Sequence, residues 1–319
     1  MIVAIVGPTA TGKSNLGLDF AQRVSRDPEL NARFPGGVDI ISADAFQLYR
    51  GMDVGTAKTP ESQRCGIAHH QIDVLWPDAE ASVAAYQKHA RSDVEAIETR
   101  GALPLVVGGS GLYVRAMLDV LEFPPTDPAV RARWEAQAEQ LGAAQLHEIL
   151  QRKDPKAAET IEPMNARRLV RALEVMEITG RPFSATLPRG EYWQPDTHVF
   201  YLTRNLDELD ERINARSREM FSQGLLEETA QLAADRAHPL GITAQKATGY
   251  SQALAVLRGE MTVEDGIAAT ALATRQLSRR QIKWFRRDKR AVEVNWSHAG
   301  LEEQGRSFFA QARSQILGH

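Results

Sequence analysis

Five short apolar runs punctuate the chain: IVAIV at 2–6, VDII at 38–41, PLVVGG at 104–109, VFYLT at 199–203 and AVEVNW at 291–296. Runs this short, rich in branched residues, read as strands buried on both faces. Long stretches of helical spacing separate them, and that alternation predicts an α/β fold, a parallel sheet flanked by helices. Residues 27–37, DPELNARFPGG, hold two prolines and two glycines and are expected to form a surface loop before the second strand.

The texture changes at FPPTDP (123–128) and the change lasts to LPRGEYWQPD (187–196). Within that interval Leu169, Ala172, Leu173 and Met176 fall at i, i+3, i+4 and i+7, with Asn165 placed to cap the helix and Gly180 to end it. The expected organisation is a core of residues 1–123 and 191–319 with an all-helical domain, residues 124–190, inserted into it. Its two proline-rich junctions are expected to act as hinges.

At 319 residues, 43% hydrophobic and 25% charged, the chain has the composition of an ordinary globular protein, which excludes the disordered and collagen-like classes. Cys65 is the only cysteine, so a disulfide framework and a multi-cysteine zinc site are excluded, and a reducing compartment is expected. The amino terminus, MIVAIVGPT, has no basic lead and too short an apolar run for a secretion signal or a membrane span, so the expected location is the cytoplasm. The net charge of −3 hides a concentration: residues 275–290, RQLSRRQIKWFRRDKR, carry eight Arg/Lys and one Asp, a local +7 that leaves −10 on the rest.

GPTATGKS (7–14) fits the phosphate-loop pattern G-x-x-x-x-G-K-[ST] between a strand and a helix. Gly7, Pro8, Thr9, Ala10, Thr11, Gly12, Lys13 and Ser14 are therefore candidate ligands of a diphosphate or longer phosphate chain. The backbone N–H groups form a nest for the anion, Lys13 supplies a cation and the Ser14 hydroxyl suits a magnesium ion. A nucleotide hydrolase normally carries a second, metal-holding acid at another strand end. Here the matching strand runs into LVVGGSGLY (105–113), which has no acid and reads as a second anion-contacting turn with Ser110 offering a hydroxyl.

Asp44 follows the second apolar run and so falls at a strand end, where open α/β sheets bind ligands. In NLDELDERINARSREMFSQG (205–224), Leu206, Leu209, Ile213 and Met220 share a helical stripe that Arg216 completes. A guanidinium there needs an anion, either a neighbouring acid or a phosphate chain, unless it snorkels to solvent. In the +7 segment, Arg275, Arg279, Lys283, Arg286 and Arg290 are spaced to share one helical face unmatched by acids, while Leu277 and Trp284 lie on another face and are expected to anchor the helix. Such a face suits a phosphate backbone, and RRLVR (167–171) offers a further cluster for the same polyanion.

Taken in order, GPTATGKS, ISADAFQLYRGMDVGTAK (41–58), HHQIDV (69–74), VVGGSGLY (106–113), RRLVRALEV (167–175), GY (249–250) and RQLSRRQIKWFR (275–286) resemble the tRNA dimethylallyltransferases over nearly the whole chain. The resemblance implies a phosphate-loop core with a helical insertion. It also implies transfer of a dimethylallyl group from dimethylallyl diphosphate to N6 of adenosine 37, beside the anticodon, in tRNAs reading codons that begin with U. The products would be N6-isopentenyladenosine and diphosphate. Carried over, Asp44 matches the family's general base, Arg216 its diphosphate arginine, and Ser110 stands where threonine is usual, keeping a catalytic hydroxyl. Asp44, Ala45, Phe46 and Gln47, then Arg167, Arg168, Leu169, Val170 and Arg171, then Arg279, Arg280, Gln281, Ile282, Lys283, Trp284, Phe285 and Arg286, match segments that touch tRNA in relatives. The implied partners are a tRNA anticodon stem-loop and dimethylallyl diphosphate, with Mg2+ at Ser14, no membrane, and a monomeric enzyme.

An adenine stacked in an anticodon loop would have to be extruded to reach Asp44, and Phe46, Gln47 and Tyr49 are near enough in sequence to help form its pocket. His69 and His70 are adjacent rather than spaced for a metal, so hydrogen bonding is expected of them. Three rival readings remain: an ATP-dependent phosphotransferase, a prenyltransferase of free adenine nucleotides, and a non-catalytic RNA-binding protein. The basic segment weighs against the second; Lys13, Ser14 and Arg216 together weigh against the third.

Overall fold

The computed structural model describes residues 1–186, 190–296 and 301–318. Its strands are β1 Ile2–Val6, β2 Val38–Ala43, β3 His69–His70, β4 Leu103–Gly108, β5 Thr197–Thr203 and β6 Val292–Asn295. They form one sheet in the order β3-β2-β4-β1-β5-β6, with every pair parallel. The predicted strands stand at or within a few residues of their expected places, and the two-residue edge strand β3 is additional. A run of two histidines has neither the length nor the apolar character that signals a strand.

Between the strands lie α1 Lys13–Arg26, α2 Pro28–Arg33, α3 Val83–Thr99, α4 Gly111–Leu118, α5 Pro128–Leu141, α6 Ala143–Lys153, α7 Pro155–Thr160 and α8 Ala166–Thr179. After β5 come α9 Leu206–Ser222, α10 Leu225–Ala234, α11 Ile242–Gln245, α12 Tyr250–Leu257, α13 Val263–Phe285 and, after β6, α14 Leu301–Leu317. Leu16, Phe20 and Val24 of α1 and Phe308, Ala312 and Ile316 of α14 pack with Ile5, Leu105 and Phe200 in one buried cluster. Each large side chain so buried contributes about 1.5–3 kcal/mol, which makes this cluster the main anchor of the sheet. No described helix is long and apolar enough to cross a membrane.

The loop expected at 27–37 is in part a helix. Asp27 caps α2, its carboxylate accepting from the N–H of Glu29 and Leu30; Pro28 takes the first turn and Leu30 is fully buried. Proline suits that first turn, where its missing N–H costs nothing, so D-P-E marked a helix start and not a break.

The chain divides into a compact unit of Met1–Leu118 with Gln194–His319, and a second unit of Asp119–Trp193. In the second unit α6, α7 and α8 close on Leu146, Leu150, Leu169 and Leu173, with Asn165 capping α8 and Gly180 ending it. Residues 187–189, in the stretch expected to end the insertion, lie outside the described residues.

The register of the central strands places the site. Val6 of β1 and Ala43 of β2 are both level with Gly108 of β4. The turns that follow, starting at Gly7, Asp44 and Gly109, therefore leave the sheet at one height. Neighbours β1 and β4 send their connections in opposite directions, to β2 and to β5. That divergence opens the crevice in which such sheets bind ligands.

Candidate active site

The turn between β1 and α1 is held by its own polar groups. The Thr11 hydroxyl donates to Pro8 O at 2.8 Å, Lys13 Nζ to the same oxygen at 2.6 Å, and Arg212 Nε of α9 to Ala10 O at 2.8 Å. Beyond it lies a cavity of about 750 Å³ lined by Thr9, Ala10, Gly12, Lys13 and Ser14, with Asp44, Arg212 and Arg216 among the other walls. Gly7, Pro8 and Thr11 are outside that lining. They shape the turn and do not front the space.

Asp44 is the first residue after β2, half-buried, with Oδ1 accepting from Phe46 N at 2.9 Å. Among the described residues no hydrogen bond reaches its Oδ2. Ser110 lies behind it: Oγ accepts from Ala45 N and its own N–H donates to Ala43 O, each at 3.2 Å. Ser110 is not among the residues lining the cavity, although its neighbour Gly109 is; its hydroxyl braces the turn that presents Asp44. Phe46 and Tyr49 pack into an apolar cluster with Met52 and Tyr250 and are also absent from the walls. Gln47 does face the cavity, its amide held between the Ser42 hydroxyl (2.8 Å) and Thr56 O (3.2 Å).

Arg216 reaches the cavity from α9, though not from the stripe the sequence suggested. The buried line is Leu209, Ile213, Ser217 and Phe221, while Leu206 is 47% exposed and Met220 half-buried. Arg216 is one residue round from Ser217, on the flank that turns toward the phosphate loop. Burial lowers its pKa and the Asp44 carboxylate opposes that shift. The same burial, aided by the Arg216 charge and opposed by Asp44, brings the Lys13 ammonium down to about 7. Lys13, Arg212 and Arg216 thus share walls that suit an incoming anion.

His70 bonds Asp39 at 2.7 Å and His69 bonds Ile67 O at 2.9 Å, and no group of His, Cys, Asp or Glu that could hold a metal occurs among the described residues. The hydrogen-bonding expectation for this pair is met. Sequence reading missed Glu228, which accepts the N–H groups of Asp53, Val54 and Gly55, and Lys58, which is buried and paired with Asp53 and Asp73. The GY pair and the lysine of GTAK were visible, but nothing in sequence joined them to this loop.

The basic helix departs from its expected form. Helix α13 ends at Phe285, so Arg290 lies off its face, and two of its cations are matched: Arg279 pairs with Asp210 at 2.8 Å and Arg275 donates to Asn214. Its buried side is Ser278, Gln281 and Phe285; Leu277 is half-buried, and Trp284, though 40% exposed, lays its indole so close to Gly111 of α4 that a Cβ there would overlap it. Arg280, Lys283, Arg286 and Arg287 are exposed. Gln281 and Phe285 are buried, Gln281 on the cavity wall. In the second unit, Leu169 and Val170 belong to the apolar core and Arg171 is committed to Glu174 and to the carbonyls of Pro124 and Pro125. Only Arg167 and Arg168 of that segment are exposed cations, because the helix must bury its apolar stripe.

Residues 47–288 match the family model described as IPP transferase. A tRNA dimethylallyltransferase of Rhodococcus jostii is 48% identical over 301 residues, covering 94% of this chain and 93% of its own. One of Mycobacterium tuberculosis is 50% identical over 302 residues, covering 94% and 92%. Among solved structures, the tRNA isopentenylpyrophosphate transferase of Bacillus halodurans superposes with a TM-score of 0.70 at 32% identity, covering 99% of this chain and 97% of that one. With its phosphate loop, the acid at the end of β2 and similarity at this level along nearly its full length, the chain belongs to the IPP transferase family, the tRNA dimethylallyltransferases.

Proposed function

We propose that the enzyme transfers a dimethylallyl group from dimethylallyl diphosphate to N6 of adenosine 37 in tRNAs reading codons that begin with U. The observation that carries this reading is one cavity walled by Asp44, with an unbonded carboxylate oxygen, and by the cations Lys13, Arg212 and Arg216. The relatives named above are tRNA prenyltransferases, which supports the substrate pair.

The exocyclic amine of adenine is a weak nucleophile because its lone pair is drawn into the ring, and it must lose a proton as the C–N bond forms. Asp44 Oδ2 accepts the N6–H, aligns the amine and removes that proton, while Oδ1 stays on Phe46 N and keeps the carboxylate from turning. On the other side of the reacting carbon the C–O bond to diphosphate breaks. The phosphate-loop amides, Lys13, Arg212 and Arg216 stabilise the charge where it develops. Extruding the base from its stack costs a few kcal/mol, roughly, and contacts within the cavity offset it. The exposed cations Arg280, Lys283, Arg286 and Arg287 would hold the RNA backbone.

Ser14, in the first turn of α1 and on the cavity wall, offers one hard oxygen. That is sufficient for magnesium, which keeps several waters and takes its other ligands from substrate phosphates. Bound there, it would supply charge neutralisation to the leaving diphosphate.

Purified enzyme, unmodified tRNA and labelled dimethylallyl diphosphate are expected to give labelled RNA, with transfer lost by at least about a hundredfold in Asp44→Asn while diphosphate binding persists. Consumption of ATP with unlabelled tRNA would establish the phosphotransferase reading instead. Label appearing only in adenosine monophosphate would make the free nucleotide the acceptor.

A further inference from the structure

The helix that displays cations to solvent also closes the phosphate cradle from behind. Gln281, 9% exposed, uses both ends of its side-chain amide there: Oε1 accepts from Thr9 N at 2.8 Å and Nε2 donates to Gly109 O at 2.9 Å. Thr9 belongs to the turn after β1 and Gly109 to the turn after β4, just past the last paired residues Val6 and Gly108. Beyond that point the two strands no longer bond each other. Gln281 supplies the link that the ladder stops providing.

The fit leaves little slack. A Cβ at Gly109 would come within 2.8 Å of Gln281 Nε2 and 2.9 Å of Gly7 O, so the amide can approach only because residue 109 has no side chain. Losing the amide would leave a donor and an acceptor without partners in a confined space and free the two turns to part. Both turns front the cavity, Thr9 and Gly109 being among its walls. Their separation therefore sets the width of the anion nest.

We propose that Gln281 is a positioning residue for the diphosphate cradle, fixing the spacing of the Thr9 and Gly109 turns, and is not an RNA contact. This deepens the reading given above and rests on it only for the group transferred; the cradle itself is tested by inorganic diphosphate. Arg280, next to Gln281 but exposed, serves as the control.

The test measures inorganic diphosphate binding by calorimetry in the presence of magnesium, and tRNA binding by filter retention, on full-length protein. Gln281→Leu is expected to weaken diphosphate about tenfold or more with tRNA affinity within about twofold, and Arg280→Ala to do the reverse. Gln281→Glu supplies a readout that a purely structural role would not move. An ionised carboxylate can accept from Thr9 N but repels Gly109 O, whereas a protonated one has a donor and an acceptor again. Diphosphate affinity of that variant, relative to wild type, is expected to recover as pH falls through its carboxyl titration. Unchanged diphosphate affinity in Gln281→Leu, a tRNA loss exceeding the diphosphate loss, or no relative recovery of Gln281→Glu at low pH would overturn the proposal. Wild-type protein that binds diphosphate through Gln281 yet never labels tRNA would sink the proposed function and leave this inference standing.

Discussion

The Tyr250 hydroxyl donates to Glu228, and the same carboxylate receives the backbone N–H of Asp53 at 3.0 Å, Val54 at 2.8 Å and Gly55 at 3.3 Å. Burial first, and then the Glu228 charge, push the Tyr250 pKa up, so the phenol keeps its proton and remains a donor. The ring lies so close over Gly55 that a Cβ at that position would overlap it. This pair fixes the loop whose Thr56 carbonyl holds the Gln47 amide at the cavity wall. Glu228→Ala strips three N–H groups of their acceptor and is expected to cost about 2–4 kcal/mol, Tyr250→Phe only about 1 kcal/mol. Urea denaturation checks both; equal losses would mean that the carboxylate is not the hub.

The Lys13 ammonium gives a dependence on pH whose sign can be worked out. Its pKa falls from 10.5 to about 7 on folding, chiefly through burial. Between those values the unfolded chain holds a proton that the folded chain has lost, so stability rises with pH across that window and is flat below it. Lys13→Met removes the titration. In ligand-free protein the substitution is expected to stabilise most near about pH 6, with the gap narrowing toward about pH 10. Denaturation curves at both ends of the range test this, and a gap that widened with pH would mean that the partners of Lys13 in the folded chain outweigh its burial.

Ser110 makes a distinct prediction because its hydroxyl acts through the Asp44 turn. Ser110→Ala removes the acceptor of Ala45 N and is expected to cost about 1 kcal/mol in stability. Transfer should fall through kcat, because the carboxylate loses its aim while the diphosphate nest is untouched. Ser110→Thr keeps the oxygen and should keep the rate. A Ser110→Ala enzyme that lost diphosphate affinity instead would place the hydroxyl at the anion site.

These residues also mark how far the sequence could be read. The strands were legible because each is a continuous apolar run, and the phosphate loop because its residues are contiguous. Asp44 was legible because it stands three residues past the end of such a run. Ser110 and Gln281 were legible only as members of their motifs; the contacts they and Glu228 make were not, since each acts on backbone that is 65, 272 and about 175 residues away in the chain. No local pattern encodes such a distance. Asp210 and Asn214 were likewise invisible as partners for Arg279 and Arg275 until α9 and α13 were packed side by side. Helix α2 is a different case, because its Asp-Pro-Glu start was present but outweighed by the count of prolines and glycines.

That pairing of α9 with α13 divides the basic segment into two classes with opposite expected behaviour. Arg280, Lys283, Arg286 and Arg287 are exposed, and an RNA phosphate neutralised by such a residue releases a condensed counterion. Replacing any of the four by alanine is expected to weaken tRNA binding and to lower the slope of log K against log salt by about one, with melting unchanged. Arg279 is held by Asp210 and Arg275 by Asn214, so the corresponding substitutions should cost about 0.5–1.5 kcal/mol of stability and leave the salt slope as it was. Filter binding over a salt series, paired with thermal melting of each variant, separates the classes. If Arg279→Ala flattened the slope as much as Arg280→Ala, the Asp210 pair would have to open for RNA, and the cationic face would be the wider one that the bare spacing suggested.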